Sequence, residues 1–299
     1  MLTAYVRRHA PVPAGGFAKE QADFMYVPPP ADVQAVLSAL ADRSADRDKQ
    51  ARGPDLNGTD LRGVSVAARG AALPPITGDF TQSPGEPGGW ATFRAARFDL
   101  TDLRHSRFYG VDLNSASFLG TDLAEATWDS VDLSNAQMQS ADLTRTEIGH
   151  ANFAGADLSN AKLREASWPY TEVNLTKVIL VKADLTGAHL DGANLRNAAL
   201  IGANMRGAFL TDANLHGARL SNVDKEAVAT EFAWPVDENA NLAKANLTRA
   251  DLTNADLRGV DLTEANLVDA DLRGAKLAGV KLAGAKLDGV RGLPPSLRP

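Results

Sequence analysis

The chain has 299 residues, no cysteine, and a formal net charge of −6 at pH 7 from 31 Lys and Arg against 37 Asp and Glu. The length accommodates one elongated domain with a small accessory region. The lack of cysteine excludes disulfides and thiolate chemistry, and the acidic balance disfavours direct binding to nucleic acid. No apolar stretch is long enough for a signal peptide or a membrane span, so the sequence predicts a cytoplasmic protein that does not enter the membrane.

Residues 1–50 are predicted to form an N-terminal helical and linker region. A short helical stretch over residues 2–9 precedes a linker at 11–16. The prolines at 28–30 then mark the start of a second helix near residues 31–43. Its apolar residues follow the spacing of one helix face and are Val33, Val36, Leu37 and Leu40.

Residues 51–90 contain two Asp-Leu pairs, Asp55-Leu56 and Asp60-Leu61, followed by a segment rich in proline and glycine. The two pairs lie five residues apart, as in the repeat that follows. We therefore predict a partial first coil and then a loop before the repeat restarts.

A five-residue pattern, A-(D/N)-L-x-x, occupies residues 91–222 and 241–290. Its period matches neither a helix nor a strand, and a short fixed period indicates a solenoid. The small first residue and the large third residue face a narrow core, and four such units close a coil of about twenty residues. About nine coils, stacked at about 4.8 Å, give a rod of roughly 40–45 Å. The phase slips by two residues near Trp168.

The bulky third positions of the first block are predicted to stack every twenty residues, for example Phe108 on Trp128 and Phe98 on Phe118. Because the ends of a β-solenoid expose unpaired strand groups, the second helix is the candidate N-terminal cap. The tail at 291–299 contains prolines but no capping helix. Either Lys286 and these prolines protect that end, or a second copy of the chain covers it in a homodimer.

The repeat resembles the pentapeptide repeat family, over about two thirds of the chain. The resemblance implies an all-β solenoid, a right-handed quadrilateral β-helix, here with a short N-terminal helical region. Its N-terminal match is to bacterial, actinobacterial-like members. Some members of the family are similar to duplex DNA in width and charge and bind DNA gyrase or topoisomerase IV, which protects these enzymes from inhibitors.

The second position of each unit is predicted to face solvent, so acids twenty residues apart form rows. Asp112 and Asp132 lie on one face, and Asp102, Asp122 and Asp142 on the opposite one. These rows are either a solvated surface or an electrostatic docking surface. The insertion at 223–240 is either a packed loop or a partner-binding protrusion. Its candidate contact residues are Glu231, Trp234, Asp237 and Glu238.

Catalytic motifs are absent from the sequence: it has no phosphate-binding loop, HExxH motif, calcium loop or nucleophile elbow. The five histidines lack metal-ligand spacing, and no cofactor is expected. The sequence therefore predicts a non-enzymatic protein-interaction or scaffold protein. The alternative is a DNA mimic that binds a type II topoisomerase, from which the chain departs in its mild charge and in Lys276, Lys281 and Lys286.

Overall fold

The computed structural model describes residues 2–11, 31–41, 53–67, 90–168, 173–222 and 238–298. The chain divides into two compact units, Met1–Asn152 and Phe153–Pro299. Most of the predicted linker, the proline- and glycine-rich loop and residues 223–237 of the insertion lie outside the described residues.

In the first unit, second-position residues of successive layers pair in parallel at intervals of twenty residues. Asp102 pairs with Asp122, which pairs with Asp142, and Ser117 pairs with Gln137 on the adjacent side. Pairs of this kind recur every five residues, so each turn of the chain has four sides. Each unit is a right-handed quadrilateral β-helix, and the predicted fold class is confirmed.

The longest strands of the first unit form a parallel sheet along one edge of the coil. They are β1 (Ser65–Ala67), β2 (Ala91–Thr92), β3 (Arg107–Asp112), β4 (Thr127–Asp132) and β5 (Glu147–Gly149). The sheet order is β1-β3-β4-β5, and β2 pairs with the end of β3. Elsewhere the contact between layers is a single bridge on each side.

The second unit keeps its register across both interruptions of the repeat. Asp157 pairs with Ile179, 22 residues later, so the predicted two-residue slip is confirmed. Asn214 pairs with Asp251, 37 residues later, although the layers before and after this one follow at intervals of twenty. The insertion therefore leaves the corner of the coil without changing how the layers stack.

Third-position side chains fill the interior of both units. The rings of Phe108 and Trp128 stack at 4.7 Å with an interplanar angle of 1°, and those of Phe98 and Phe118 at 4.9 Å with 9°. The predicted stacking of these two pairs is confirmed. Alanine or another small first-position residue separates successive large side chains, as close packing requires.

Outside the sheet of β1 to β5, a corner is a tight turn that begins at the third position. The N–H of Ser106 donates to the Leu103 carbonyl at 3.1 Å, and His105 between them has a φ of 57°. A positive φ at this point is the requirement of a type II turn. The fifth position accordingly takes glycine or a residue that accepts the left-handed region, mostly a polar one.

Two helices cover the first layer of the first unit: α1 (Leu2–His9) and α2 (Ala31–Ala41). In α2, Val33, Leu37 and Leu40 are buried, and the helix packs against β1 and β2. The side-chain amide of Gln34 forms hydrogen bonds with both backbone groups of Ser65. It accepts the Ser65 N–H at 3.0 Å and donates to the Ser65 carbonyl at 2.5 Å. Gln34 thereby replaces the strand that an interior layer would have beside it.

A short 3-10 helix, Pro295–Leu297, follows the last layer of the second unit. In the part of the chain that the structure describes, no helix is long and apolar enough to cross a membrane.

Candidate interaction surface

The second-position acids have a structural role that sequence analysis missed. In a repeat unit, the ladder and the corner turn use the N–H groups of the second, third, fifth and next first positions. The fourth N–H is left over, and the second-position side chain accepts it: Arg104 N–H donates to Asp102 Oδ1 at 3.1 Å. Asn fulfils the same role, as Asn241 does for the Ala243 N–H at 3.0 Å.

Where the second position offers no such acceptor, a side chain of the adjacent layer can supply one. Ser117 is such a position, and the Leu119 N–H donates instead to Asp99 Oδ1 at 3.1 Å. Phe209 is another, and there the Thr211 N–H donates to Asp191 Oδ1 at 2.8 Å. The preference for Asp and Asn in the repeat thus follows from hydrogen bonding to a buried or half-buried backbone group.

Asp102 corrects the expectation that every second-position acid faces solvent. Its side chain is 0% exposed, because arginines cover it. Arg104 Nη2 lies 2.8 Å from Asp102 Oδ2, and Arg62 Nε lies 3.5 Å from the same oxygen. A buried carboxylate requires such pairing. Asp102 is therefore not available to a partner.

The negative charge of Asp122, in the next layer of the same row, is less well balanced by arginine than that of Asp102. Its Oδ2 lies 3.5 Å from Arg104 Nε, and Arg104 already binds Asp102. Burial raises the pKa of Asp122 to about 6, and the neighbouring Asp102 and Asp142 also raise it. The hydrogen bond from the Ala124 N–H and the charge of Arg104 only partly oppose this shift. Asp122 remains 27% exposed.

The other predicted acids are half-buried and bonded within the coil. Asp112 accepts the Asn114 N–H at 3.0 Å and binds Arg94 at 3.1 Å, while Asp132 accepts the Ser134 N–H at 3.0 Å. Asp142 accepts the Thr144 N–H at 3.1 Å. The structure brings the acids together in two rows, Asp112 with Asp132 and Asp102 with Asp122 and Asp142.

The candidates in the insertion are almost all beyond the described ranges. Glu231, Trp234 and Asp237 lie outside the described residues, and Glu238 is exposed at the point where the described chain resumes.

Three of the basic second positions near the end of the second unit face acids of the preceding layer, whereas Lys286 pairs with Asn266. Lys276 Nζ lies 3.6 Å from Asp256 Oδ2, and Arg291 lies 3.1 Å from Asp271. A hydrogen bond from the Thr263 hydroxyl lowers the pKa of Asp261, and the charge of Lys281 contributes to this shift. These bases therefore neutralise acids of the coil rather than form an isolated basic patch.

Four histidines make side-chain contacts that the sequence did not indicate, and one of them is His105, whose Nδ1 lies 3.5 Å from Glu125 Oε2. His150 Nδ1 lies 2.7 Å from the buried Asp129 Oδ1, and His216 Nδ1 lies 2.7 Å from the Thr253 hydroxyl. His189 stacks on the exposed ring of Phe209 at 4.3 Å. Among the described residues, no group of three or more His, Asp or Glu could hold a metal ion.

Large apolar side chains at outward positions were also missed. Leu100 is 66% exposed at a fifth position and Leu119 is 38% exposed at a fourth position, in adjacent layers of the first unit. The signal was present in the sequence, because the fourth and fifth positions are otherwise mostly polar or small.

A family model described as Pentapeptide repeats matches the chain in eight copies, over residues 89–123, 114–148, 141–167, 171–207, 193–224, 238–267 and 255–291. The chain belongs to the pentapeptide repeat family. No enzymatic family is indicated for this pentapeptide repeat protein. No curated protein matches it.

Solved pentapeptide repeat structures resemble the chain at low identity. HetL, involved in heterocyst differentiation regulation in the cyanobacterium Nostoc sp. strain PCC 7120, is 25% identical, with 78% of this chain and 89% of HetL covered and a TM-score of 0.23. Trypsin-treated QnrB1, a plasmid-mediated fluoroquinolone resistance protein, is 19% identical, with coverages of 77% and 90% and a TM-score of 0.36. A thylakoid-lumen protein of Arabidopsis thaliana is 29% identical, with coverages of 46% and 66% and a TM-score of 0.24. The family assignment rests on the repeat match.

Proposed function

We propose that this pentapeptide repeat protein is a non-enzymatic, cytoplasmic interaction protein of bacterial origin that binds another protein through its outer faces. The observation that carries the proposal is the register of the outward side chains. Second-position residues of adjacent layers stand directly beside one another, as Asp122 and Asp142 do. Because each row is fixed by backbone hydrogen bonds, a partner meets a preorganised surface and little ordering entropy is lost on binding.

Affinity capture followed by reconstitution tests this function. The whole chain is immobilised, proteins retained from a bacterial extract are purified, and binding is measured with both components pure. We expect saturable binding with a Kd in the micromolar range or tighter. A tenfold or greater loss should follow from a change on an outward row, such as Phe209→Thr, and no loss from the interior control Leu257→Met. If no purified candidate binds saturably, the proposal fails.

A second candidate partner is a type II topoisomerase, recognised through mimicry of DNA. The two acidic rows support it, because stacked carboxylates about 4.8 Å apart present a regular negative surface. The pairing of Asp102 with Arg104 opposes it, since it removes one charge from the longer row. The candidate residues of these rows that are half-buried rather than buried are Asp112, Asp122, Asp132 and Asp142.

DNA supercoiling by purified gyrase, titrated with this protein with and without a quinolone, tests the second candidate. Asp→Asn changes at positions 112, 122, 132 and 142 make a matched series, because Asn retains the hydrogen bond to the corner N–H and removes only charge. Inhibition or drug rescue that is lost in the quadruple variant supports mimicry. Equal activity of the wild type and the variant, or no effect of either, excludes these rows as a DNA mimic.

We also propose that the protein forms a homodimer through its C-terminal end. The third-position leucines of the last layer, Leu277, Leu282 and Leu287, are half-buried, whereas those of interior layers are fully buried. Sedimentation equilibrium of the wild type and of Leu282→Glu measures the contribution of this layer, and a monomeric wild type would refute the dimer. The hypothesis that Glu231, Trp234, Asp237 and Glu238 contact a partner stays a prediction.

A further inference from the structure

Leu100 and Leu119 occupy adjacent layers at one corner of the first unit, and we call this pair the Leu100 patch. The Leu100 N–H donates to the Leu119 carbonyl at 2.9 Å. A Cβ built on Gly120 would lie 3.1 Å from Leu100 Cδ2, so the Leu100 side chain extends over the neighbouring layer. The lack of a side chain at Gly120 leaves room for it.

The conformation of Leu100 is unfavourable for a leucine. Its φ is 55°, in the left-handed region, where a branched apolar side chain gains no compensating hydrogen bond. Among the described non-glycine residues with positive φ, Ala95 is the only other apolar one. Since the side chain is 66% exposed, core packing does not account for leucine here. The corner turn of the repeat sets this positive φ, so the unusual feature is the exposed leucine that occupies it.

The backbone beneath the Leu100 patch is held in place by side chains of the adjacent layers. Asp99 Oδ1 accepts the Leu119 N–H at 3.1 Å and also the Ser117 hydroxyl. The Asp99 N–H in turn donates to Asn57 Oδ1 at 2.8 Å. The patch is therefore preorganised for contact.

The charges around the patch are balanced except at one point. Four carboxylates near it each have an arginine within 3.2 Å: Asp55 with Arg7, Asp60 with Arg62, Asp99 with Arg97 and Asp102 with Arg104. Asp122, three residues after Leu119, has only a shared contact with Arg104 at 3.5 Å.

The imbalance at Asp122 has a simple origin in the sequence. Arg62 and Arg104 follow the acids of their own layers by two residues, and each also reaches the acid of the next layer, at 3.5 Å in both cases. In the layer of Asp122 the corresponding residue is Ala124. The methyl group of Ala124 thus stands where a third arginine would lie beside Asp122, and it provides no positive charge.

We propose that the Leu100 patch and Asp122 together bind a segment of a partner protein that presents an arginine or lysine beside aliphatic side chains. The cation pairs with Asp122, where the coil lacks an arginine of its own, and the aliphatic groups cover Leu100 and Leu119. The occupant is a protein segment, because only a polypeptide places a cationic side chain for Asp122 beside aliphatic groups for the two leucines, whereas nucleic acid and anionic lipid head groups would bring negative charge to Asp122. This inference rests on the proposed protein-binding function and deepens it.

A peptide titration followed by methyl NMR tests the chemistry of the patch. The probe is an acetylated and amidated hexapeptide of alternating Leu and Arg, added to the full chain with labelled leucine methyl groups. Alternating Leu-Glu and Ser-Arg hexapeptides are its controls. We expect saturable shifts of the Leu100 and Leu119 methyls with the Leu-Arg peptide and at least fivefold weaker binding of either control. Equal binding of the Leu-Glu peptide, or shifts confined to other faces, would overturn the proposal.

Two variants separate the apolar and ionic contributions. Leu100→Asn removes the side chain but suits a positive φ, and Ser115→Asn is its matched control at another left-handed corner of the same unit. We expect a tenfold loss of affinity in the first and no change in the second. Because the peptide cation requires an ionised Asp122, wild-type binding should be about tenfold weaker at pH 5 than at pH 7, and Asp122→Asn should abolish this dependence.

The natural partner distinguishes failure of this inference from failure of the proposed function. A purified partner that binds wild type and Leu100→Asn equally tightly refutes the Leu100 patch and leaves the interaction function intact. If no partner binds saturably, the function itself fails.

Discussion

At the scale of single residues, the repeat is explained by one leftover N–H group in each unit. Asp and Asn alternate freely at the second position because both accept the N–H of the fourth residue, as Asp251 does for Thr253 at 2.9 Å and Asn194 for Arg196 at 3.3 Å. A hydrogen-bond acceptor is therefore favoured at the second position, and a charge is not needed. The exchange of Asp for Asn along the chain was the sequence signal for this role.

Leu100→Asn is expected to stabilise the protein even though it removes a proposed contact residue. Asn tolerates the left-handed region that strains Leu100, so the free energy of unfolding should rise by about 1 kcal/mol. Chemical denaturation of the variant and of the Ser115→Asn control measures the effect. A variant less stable than wild type would mean that Leu100 packs usefully on the coil.

Asp122→Asn is expected to change how stability depends on pH. The pKa of Asp122 is raised to about 6, so the folded state holds a proton that the unfolded state releases between about pH 4 and 6. Protonated Asp122 therefore contributes to the stability of the folded state at low pH, and this stabilisation is lost as the pH rises through this window. Discounted for its partial exposure, the loss is about 1–2 kcal/mol.

The measurement is the difference in unfolding free energy between wild type and Asp122→Asn at pH 4.5 and pH 7. The variant should gain relative to wild type as pH rises, because it carries no titrating group at this position. A constant difference across the range would contradict the raised pKa. Asp112→Asn is a control for charge removal at the same position of the repeat.

At the scale of elements, α2 is joined to the coil by burial and by one amide. Val33, Leu37 and Leu40 supply apolar contact, while Gln34 bonds both backbone groups of Ser65. An edge strand otherwise exposes such groups to solvent or to other chains. The Gln34 side chain therefore satisfies backbone groups of β1 that a further strand would otherwise bind.

Gln34→Ala is expected to lower the free energy of unfolding of the first unit by about 1–2 kcal/mol, since both Ser65 groups lose their partner. Amide exchange should accelerate at Ser65 and remain unchanged at Leu61, whose N–H donates to the Asp102 carbonyl within the coil. Gln34→Met, which keeps the size of the side chain, separates the hydrogen bonds from packing. Unchanged exchange at Ser65 would show that α2 acts by burial alone.

The fold could be predicted from the sequence because the repeat pattern determines the geometry of the coil. Period, small first residues and large third residues define a four-sided coil, and the two-residue slip appears directly as the 22-residue spacing from Asp157 to Ile179. The surface could not be predicted in the same way. Burial of Asp102 depends on arginines from two layers, Arg62 and Arg104, which are 42 residues apart and brought together only by an interruption of the repeat.

At the scale of the whole molecule, stability is a sum of similar layers, each packed on its neighbours. The second unit repeats one arrangement in which buried leucines and alanines alternate along every side. A defect in one layer should therefore weaken the nearest layers most.

Leu252→Ala tests this local behaviour. Leu252 is fully buried, so its truncation should cost about 2–4 kcal/mol. Hydrogen exchange should increase more at Leu272 and Leu215, in the adjacent layers of the same side, than at Leu175, three layers from the substitution. Uniform acceleration throughout the second unit would indicate all-or-none unfolding, in contrast to the layered model. Leu252→Met is the volume-conserving control.

The 37-residue spacing between Asn214 and Asp251 has a practical consequence. The chain can depart at a corner of the second unit and return seventeen residues later to the same rung, with the stacking on either side unchanged. Such a corner is a site for grafting: a foreign peptide of comparable length could be displayed there at a fixed distance from the rows of outward side chains. The coil would then act as a rigid scaffold that holds grafted epitopes at distances set by the spacing of its layers.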